Sequence, residues 1–272
     1  VLYGLLGDAC TLAWLYRVMG RRTAVFWGLR ASDMDFRHYS RSSAAIYRWN
    51  ARLSRRVERI IVNSYAGAAF HAAQGYCERA MQVIPNGIDT DRFRPRPREG
   101  EAIRRTLGIP SEAAVIGRIG RVDPMKGYET FVHAAAQTAA TRPQARFLIA
   151  GEGHPEQRRR LTGMIQAAGL ASRVLVLGPR EDLPAVYSAC TITASTSSYG
   201  EGFPNVVAES LACGTPCVVT DVGDSALIVE DRALIVPRGD VQAMSRAWDN
   251  LLDRTPAERK AIGAAGRRRI SE

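Results

Sequence analysis

From Ala113 onward, short apolar runs alternate with longer amphipathic ones, and few folds accommodate that order. "AAVIGRIG", "ARFLIAG", "RVLVLG" and "TITAST" read as strands; "GYETFVHAAAQTAATR", "PEQRRRLTGMIQAAG" and "EDLPAVYSAC" between them read as helices. After "TITAST" come a helix opened by Pro204, the strands "PCVVTD" and "ALIV", and a final helix from about Asp240. Continuous apolar strands separated by helices indicate a doubly wound parallel sheet, whose ligands sit outside the carboxyl ends of the strands. The front of the chain repeats the pattern less regularly. Strands are expected at "TAVFWGL", "RIIVNS" and "MQVIPNG", with helices at Leu2 to Gly20 and within the arginine-rich "DFRHYSRSSAAIYRWNARLSRRV". Proline-rich and poor in apolar residues, Arg92 to Gly100 is expected to be a linker, so the domains divide as 1–95 and 96–272. With 272 residues, 46% of them hydrophobic, the chain can bury two modest cores.

The net charge of +10 is uneven. Eleven arginines fall before residue 60, which favours anionic partners: nucleic acid, an acidic membrane surface or phosphorylated substrates. Five irregularly placed cysteines do not make a disulfide framework and point to a reducing compartment. In "CGTPC", Cys213 and Cys217 have no second pair of ligands and are expected to be core residues. No run is long and apolar enough to cross a membrane. Opening on Val1 directly before an apolar helix, the chain is expected to lack upstream residues, leaving its first domain incomplete.

Two loops at the expected strand ends carry chemistry. "GRVDPMKG" sets Arg121 and Lys126 on either side of a proline turn, between Gly120 and Gly127. Two cations beside a helix start suit a diphosphate. In "YGEGFPNVVAES", Pro204 favours a helix opening there, with the backbone N–H groups of Asn205, Val206 and Val207 in its first turn. Glu209 then lies about 7.5 Å further along the axis, and Glu201 stays in the preceding loop. An acid pair, a sugar clamp and a solvated helix face all fit these two carboxylates. "AGEG" carries half of a dinucleotide fingerprint, with Pro155 and Glu156 where a third glycine belongs.

Taken in order, "VIPNGIDTDRF", "GRIGRVDPMKGYETFV", "FLIAGEG", "RVLVLGPREDLPAVYSA" and "EGFPNVVAESLACGTPCVVTDVG" resemble the retaining glycosyltransferases of family 4. That resemblance implies a GT-B fold, two Rossmann-like doubly wound α/β domains, with donor binding in the second. It implies that Arg121 and Lys126 neutralise the diphosphate of a nucleotide sugar, near Gly120 and the N–H groups of Asn205 to Val207. Glu209 would accept the ribose hydroxyls, and Glu201, with Gly202, Phe203 and Pro204, would meet the transferred sugar. Gly178, Pro179 and Arg180 would offer mostly backbone contacts to the base. Neither a metal nor another cofactor is expected. The implied partners are a nucleotide sugar and a glycan or lipid-linked acceptor, not nucleic acid, in a cytoplasmic enzyme of polysaccharide or lipid-linked glycan assembly. A nucleotide-sugar binding module or an epimerase is the alternative.

The chain departs from the family where many members carry a histidine: "VFWGLRASD" has Gly28, Leu29 and Arg30 there, and His38 lies too far along to replace it. Arg30 is a candidate for a donor phosphate or an acidic acceptor. Arg48, Arg52, Arg55, Arg56 and Arg59 form a basic stripe beside an apolar row, Trp49, Leu53 and Val57, which suggests peripheral contact with an anionic inner membrane face.

Overall fold

Two parallel sheets organise the chain, and a computed structural model describes residues 1–19, 23–34 and 40–272 of it. Contacts divide it into two units. The first comprises Val1–Gly87, Tyr199–Pro204 and Val222–Asp224; the second comprises Ile88–Ser198, Asn205–Asp221 and Ser225–Glu272.

In the first unit β1 (Leu2–Leu5), α1 (Gly7–Val18), β2 (Val25–Leu29), α2 (Arg41–Leu53), β3 (Arg59–Val62), α3 (Tyr65–Ala73) and β4 (Met81–Val83) follow one another, and the sheet order is β1-β2-β3-β4. Trp27, Ile60 and Val62 are fully buried in a core shared with Tyr47, Leu53 and Tyr76. Leu2 to Gly20 was expected as one helix, but its first residues form β1, which pairs with β2 from Leu2↔Val25 to Leu5↔Gly28. A short apolar run carries no periodicity that separates strand from helix, and pairing decides it. Along α2, Leu53 is buried and Val57 beyond it packs on the same core, so Trp49 alone of the apolar row is largely exposed.

The second unit contains α4 (Pro97–Thr106), β5 (Val115–Ile119), α5 (Tyr128–Thr141), β6 (Arg146–Ala150), α6 (Pro155–Ala167), β7 (Val174–Gly178), α7 (Leu183–Ala189), β8 (Ile192–Ser195), α8 (Asn205–Ala212), β9 (Cys217–Thr220), α9 (Ser225–Val229), β10 (Ile235–Val236), α10 (Val241–Asp253) and α11 (Pro256–Ser271). Its sheet order, β10-β9-β8-β5-β6-β7, reverses direction at β5. Loops following β5 and β8 therefore leave the sheet side by side, at the switch point where such sheets bind ligands.

Three expectations need correction. Instead of a linker through Gly100, α4 begins at Pro97 and lies against α7 so closely that a Cβ on Gly100 would sit 2.6 Å from the Ser188 backbone. The tetrapeptide Ala-Leu-Ile-Val occurs at 226–229 and 233–236; the first copy is helical, and only the last two residues of the second form a strand, beside β9. Finally, the last helix is two helices, because Thr255 and Glu258 form a capping box that starts a new helix at Pro256. Cys213 and Cys217 are buried core residues.

Candidate functional site

The loop after β5 is shaped from beneath by a residue that the sequence did not single out. Arg118 is fully buried within β5. Its guanidinium donates to the Ile119 carbonyl at 2.8 Å, the Lys126 carbonyl at 2.8 Å and Thr196 Oγ1 at 3.2 Å. It also stacks 5.2 Å over the ring of Tyr128, whose hydroxyl donates to the Gly120 carbonyl at 2.7 Å. Both arms of the loop are thus tied to one planar cation. At the loop's centre Pro124–Lys126 form a single 3-10 turn capped by Asp123, which accepts from the Met125 N–H. Gly127 then turns into α5 with φ 61°, and a Cβ there would lie 1.9 Å from the Thr196 carbonyl oxygen. No other residue fits both requirements. Arg121 is exposed and Lys126 half-buried on this frame.

Glycines of "AGEG" hold the same loop from its other side. A Cβ on Gly151 would meet the Gly120 carbonyl oxygen at 1.9 Å, and the Val122 N–H donates to Glu152 at 2.6 Å. Close approach of two loops, rather than a dinucleotide, accounts for this G-x-G. The Gly151 N–H in turn donates to Gly178 at 2.8 Å, which links the loop after β7 to the same group. There Arg180 is committed to Asp182, Nε to Oδ1 at 2.7 Å.

The helix expected from Pro204 is α8, opened by Asn205, Val206 and Val207. On its second turn Glu209 accepts a hydrogen bond from the Tyr187 hydroxyl at 2.8 Å. Burial raises the pKa of Glu209, opposed by that hydrogen bond and by the charge of Arg92. Gly120, Arg121, Lys126, Gly178, Pro179, Arg180, Asn205, Val206, Val207 and Glu209 all belong to the second unit. Glu201, Gly202, Phe203 and Pro204 group with the first. Glu201 is 6% exposed, and its carbonyl accepts a hydrogen bond from the Ser32 hydroxyl.

Elsewhere in the first unit, Arg30 lines a cavity of about 400 Å³ with Leu6, Met34, Ile46, Tyr47 and His71. His71 is buried, with Nε2 3.0 Å from the Ala31 carbonyl and Nδ1 2.6 Å from the Tyr47 hydroxyl. A carbonyl can only accept, so Nε2 carries the hydrogen and Nδ1 accepts from Tyr47. Burial lowers its pKa to about 4. His38 lies outside the described residues. Among the described residues no group of three or more His, Cys, Asp or Glu side chains is placed to hold a metal ion.

Two parallel α/β units, the second with a Rossmann strand order and a cationic loop at its switch point, define a GT-B protein. The chain belongs to the family described as glycosyl transferases group 1, whose model matches residues 99–269; residues 9–92 match the model of Glycosyltransferase Family 4. It is 34% identical to the 2-deoxystreptamine N-acetyl-D-glucosaminyltransferase of Streptomyces fradiae, over 69% of this chain and 45% of that protein. It is 31% identical to the lipopolysaccharide core biosynthesis mannosyltransferase LpsB of Rhizobium meliloti (strain 1021), over 76% of this chain and 59% of that protein. The chain thus spans about half the length of these curated relatives. Its fold matches the crystal structure of Anabaena Alr3699/HepE in complex with UDP, with a TM-score of 0.87 and 24% identity over 99% of this chain and 73% of that one.

Proposed function

We propose that the protein transfers a sugar from a nucleotide diphosphate sugar to a glycan or lipid-linked acceptor with retention of configuration, in polysaccharide or lipid-linked glycan assembly. The observation that carries this reading is the loop anchored by Arg118, which sets Arg121 and Lys126 at the switch point of the sheet. Fixed cations placed where a diphosphate leaves stabilise the charge that develops there without reorganising. N–H groups at the start of α8 assist them. Glu209 accepts the two ribose hydroxyls, as a carboxylate with several lone pairs can, and Glu201 orients the hydroxyls of the sugar. The acceptor attacks on the face the diphosphate leaves, and a phosphate oxygen takes its proton, so no general base and no metal are needed. The sugar-transferase names of the relatives and the UDP bound in HepE support a nucleotide sugar as donor.

We place the enzyme in the cytoplasm, with the arginines of α2 and the segment after it against an anionic inner leaflet. No helix among the described residues is long and apolar enough to cross a membrane. Co-sedimentation with anionic vesicles, weakened by salt, is what the surface contact requires; equal recovery in the supernatant with every lipid rejects it. Transfer itself is tested by incubating the protein with a panel of nucleotide sugars and acceptors in EDTA and reading the anomeric configuration of the product by NMR. Retained product in the chelator is expected. Binding without transfer would favour a binding module, and strict dependence on magnesium or manganese would reject the metal-free scheme.

A further inference from the structure

Asp224 makes contacts that the donor chemistry does not use. Only 5% exposed, it lies in the short segment Val222–Asp224 that belongs to the first unit. Its Oδ2 accepts from the N–H of Tyr65 and its Oδ1 from the N–H of Ala66, both at 2.8 Å, while Ser64 Oγ accepts from the N–H of Gly67 at 3.0 Å. The opening N–H groups of α3, which have no acceptor within the helix, are thereby satisfied by two side chains. A carboxylate gripping two amides at the positive end of a helix is a strong attachment.

The same residue reaches the stretch that carries Glu201. The Asp224 N–H donates to the Gly202 carbonyl at 2.9 Å, and the Ser32 hydroxyl donates to the preceding carbonyl, that of Glu201. Between them there is no slack. A Cβ on Gly223 would fall 2.5 Å from the Gly202 oxygen and 2.7 Å from the Glu201 oxygen, and one on Gly202 would fall 2.6 Å from Asn63 Oδ1. With two successive carbonyls held, the Glu201 side chain leaves the backbone in a direction set by these contacts.

We propose that Asp224 is a positioning residue: by fastening its segment to the start of α3 and to the Gly202 carbonyl, it aims the Glu201 carboxylate at the hydroxyls of the transferred sugar. This rests on the donor reading of the site given above. Asn at 224 keeps the shape but turns an amide NH2 against one of the two N–H donors, so Asp224→Asn loosens the attachment without opening a cavity.

Calorimetry on the full chain should compare the nucleotide sugar that the wild type selects with its own nucleotide diphosphate. Asp224→Asn is expected to leave the diphosphate affinity unchanged, to remove the extra affinity for the sugar, and to lower kcat about tenfold or more, as misplacement of an orienting group does. Added to Glu201→Gln, it should cause no further loss, because the two residues act through one contact. Ser32→Ala, which leaves Asp224 intact, should reproduce a smaller part of the effect and serves if Asp224→Asn does not fold. Unchanged sugar affinity and kcat in both variants would overturn the proposal, as would equal weakening of both ligands or losses that multiply on the Glu201→Gln background. A wild type that binds neither ligand rejects the donor reading itself, and the positioning role with it.

Discussion

Tyr187 donates its phenolic hydrogen to Glu209 across 2.8 Å from a fully buried ring. Burial keeps the Tyr187 pKa well above its ordinary value, so the residue remains a donor throughout the physiological range. The carboxylate it serves is pushed upward by its own burial and drawn back by this hydrogen bond and by Arg92. Tyr187→Phe removes the first of those two restraints.

The pKa of Glu209 should therefore rise further in Tyr187→Phe. Ribose hydroxyls are received best by the ionised carboxylate, so affinity for a nucleoside diphosphate should fall as pH drops through that pKa, at a higher pH in the variant. Stability moves in the opposite sense. A raised folded-state pKa favours the fold below the ordinary carboxylate range and costs stability as pH rises through it, a cost the variant should enlarge at neutral pH. Calorimetric titrations and urea midpoints from about pH 5 to 8 read both effects. Identical pH profiles for the two proteins would remove Tyr187 from control of Glu209.

Arg121 and Lys126 should matter to the diphosphate and not to the nucleoside. Replacing either by Ala is expected to weaken nucleoside diphosphate binding by about 1.5 to 3 kcal/mol, the worth of a hydrogen bond to a charged group, with nucleoside binding nearly unchanged. Equal losses for both ligands, measured by calorimetry, would reject the assignment.

Arg118→Lys tests the frame beneath that loop. A lysine cannot reproduce the planar fork that reaches Ile119, Lys126 and Thr196 together, nor its stacking on Tyr128. Each acceptor left buried without its donor should cost about 1 to 3 kcal/mol of stability. Diphosphate affinity should fall as well, although Arg121 and Lys126 are untouched. A lower urea midpoint with full affinity would show that the loop keeps its shape without Arg118.

These residues also mark how far the sequence could be read. Arg121, Lys126 and the helix at Pro204 stood out because charge, glycine and proline are local signals and the alternation of strands located the loops. Arg118 did not, since a charge inside "VIGRIG" resembles an exposed strand position until the neighbouring strands and α5 enclose it. A cation in an otherwise apolar parallel strand was the available clue. Likewise, the role of Asp224 depends on contacts to Tyr65 and Ala66, more than 150 residues away in sequence. Leu2–Leu5 failed for a different reason: four apolar residues have no period, and only pairing with β2 makes them a strand.

His71 supplies the last test, through the stability of the first unit. Its burial lowers the pKa from 6.5 to about 4, so the folded unit holds the ring neutral while the unfolded chain protonates it. The stability this provides is complete above the unfolded value and is lost as pH falls from about 6.5 through about 4, in total about 3 kcal/mol. Gln at 71 offers an N–H to the Ala31 carbonyl and an oxygen to the Tyr47 hydroxyl without titrating. Urea unfolding followed by tryptophan fluorescence suits the measurement, because Trp27 is fully buried in the same core. The wild type should lose stability steeply across that window, and His71→Gln should show a shallower slope, with the two curves close at neutral pH and separating toward acid pH. Parallel curves for the two proteins would mean that other groups govern the acid limb and that His71 takes up its proton equally in the folded and unfolded chain.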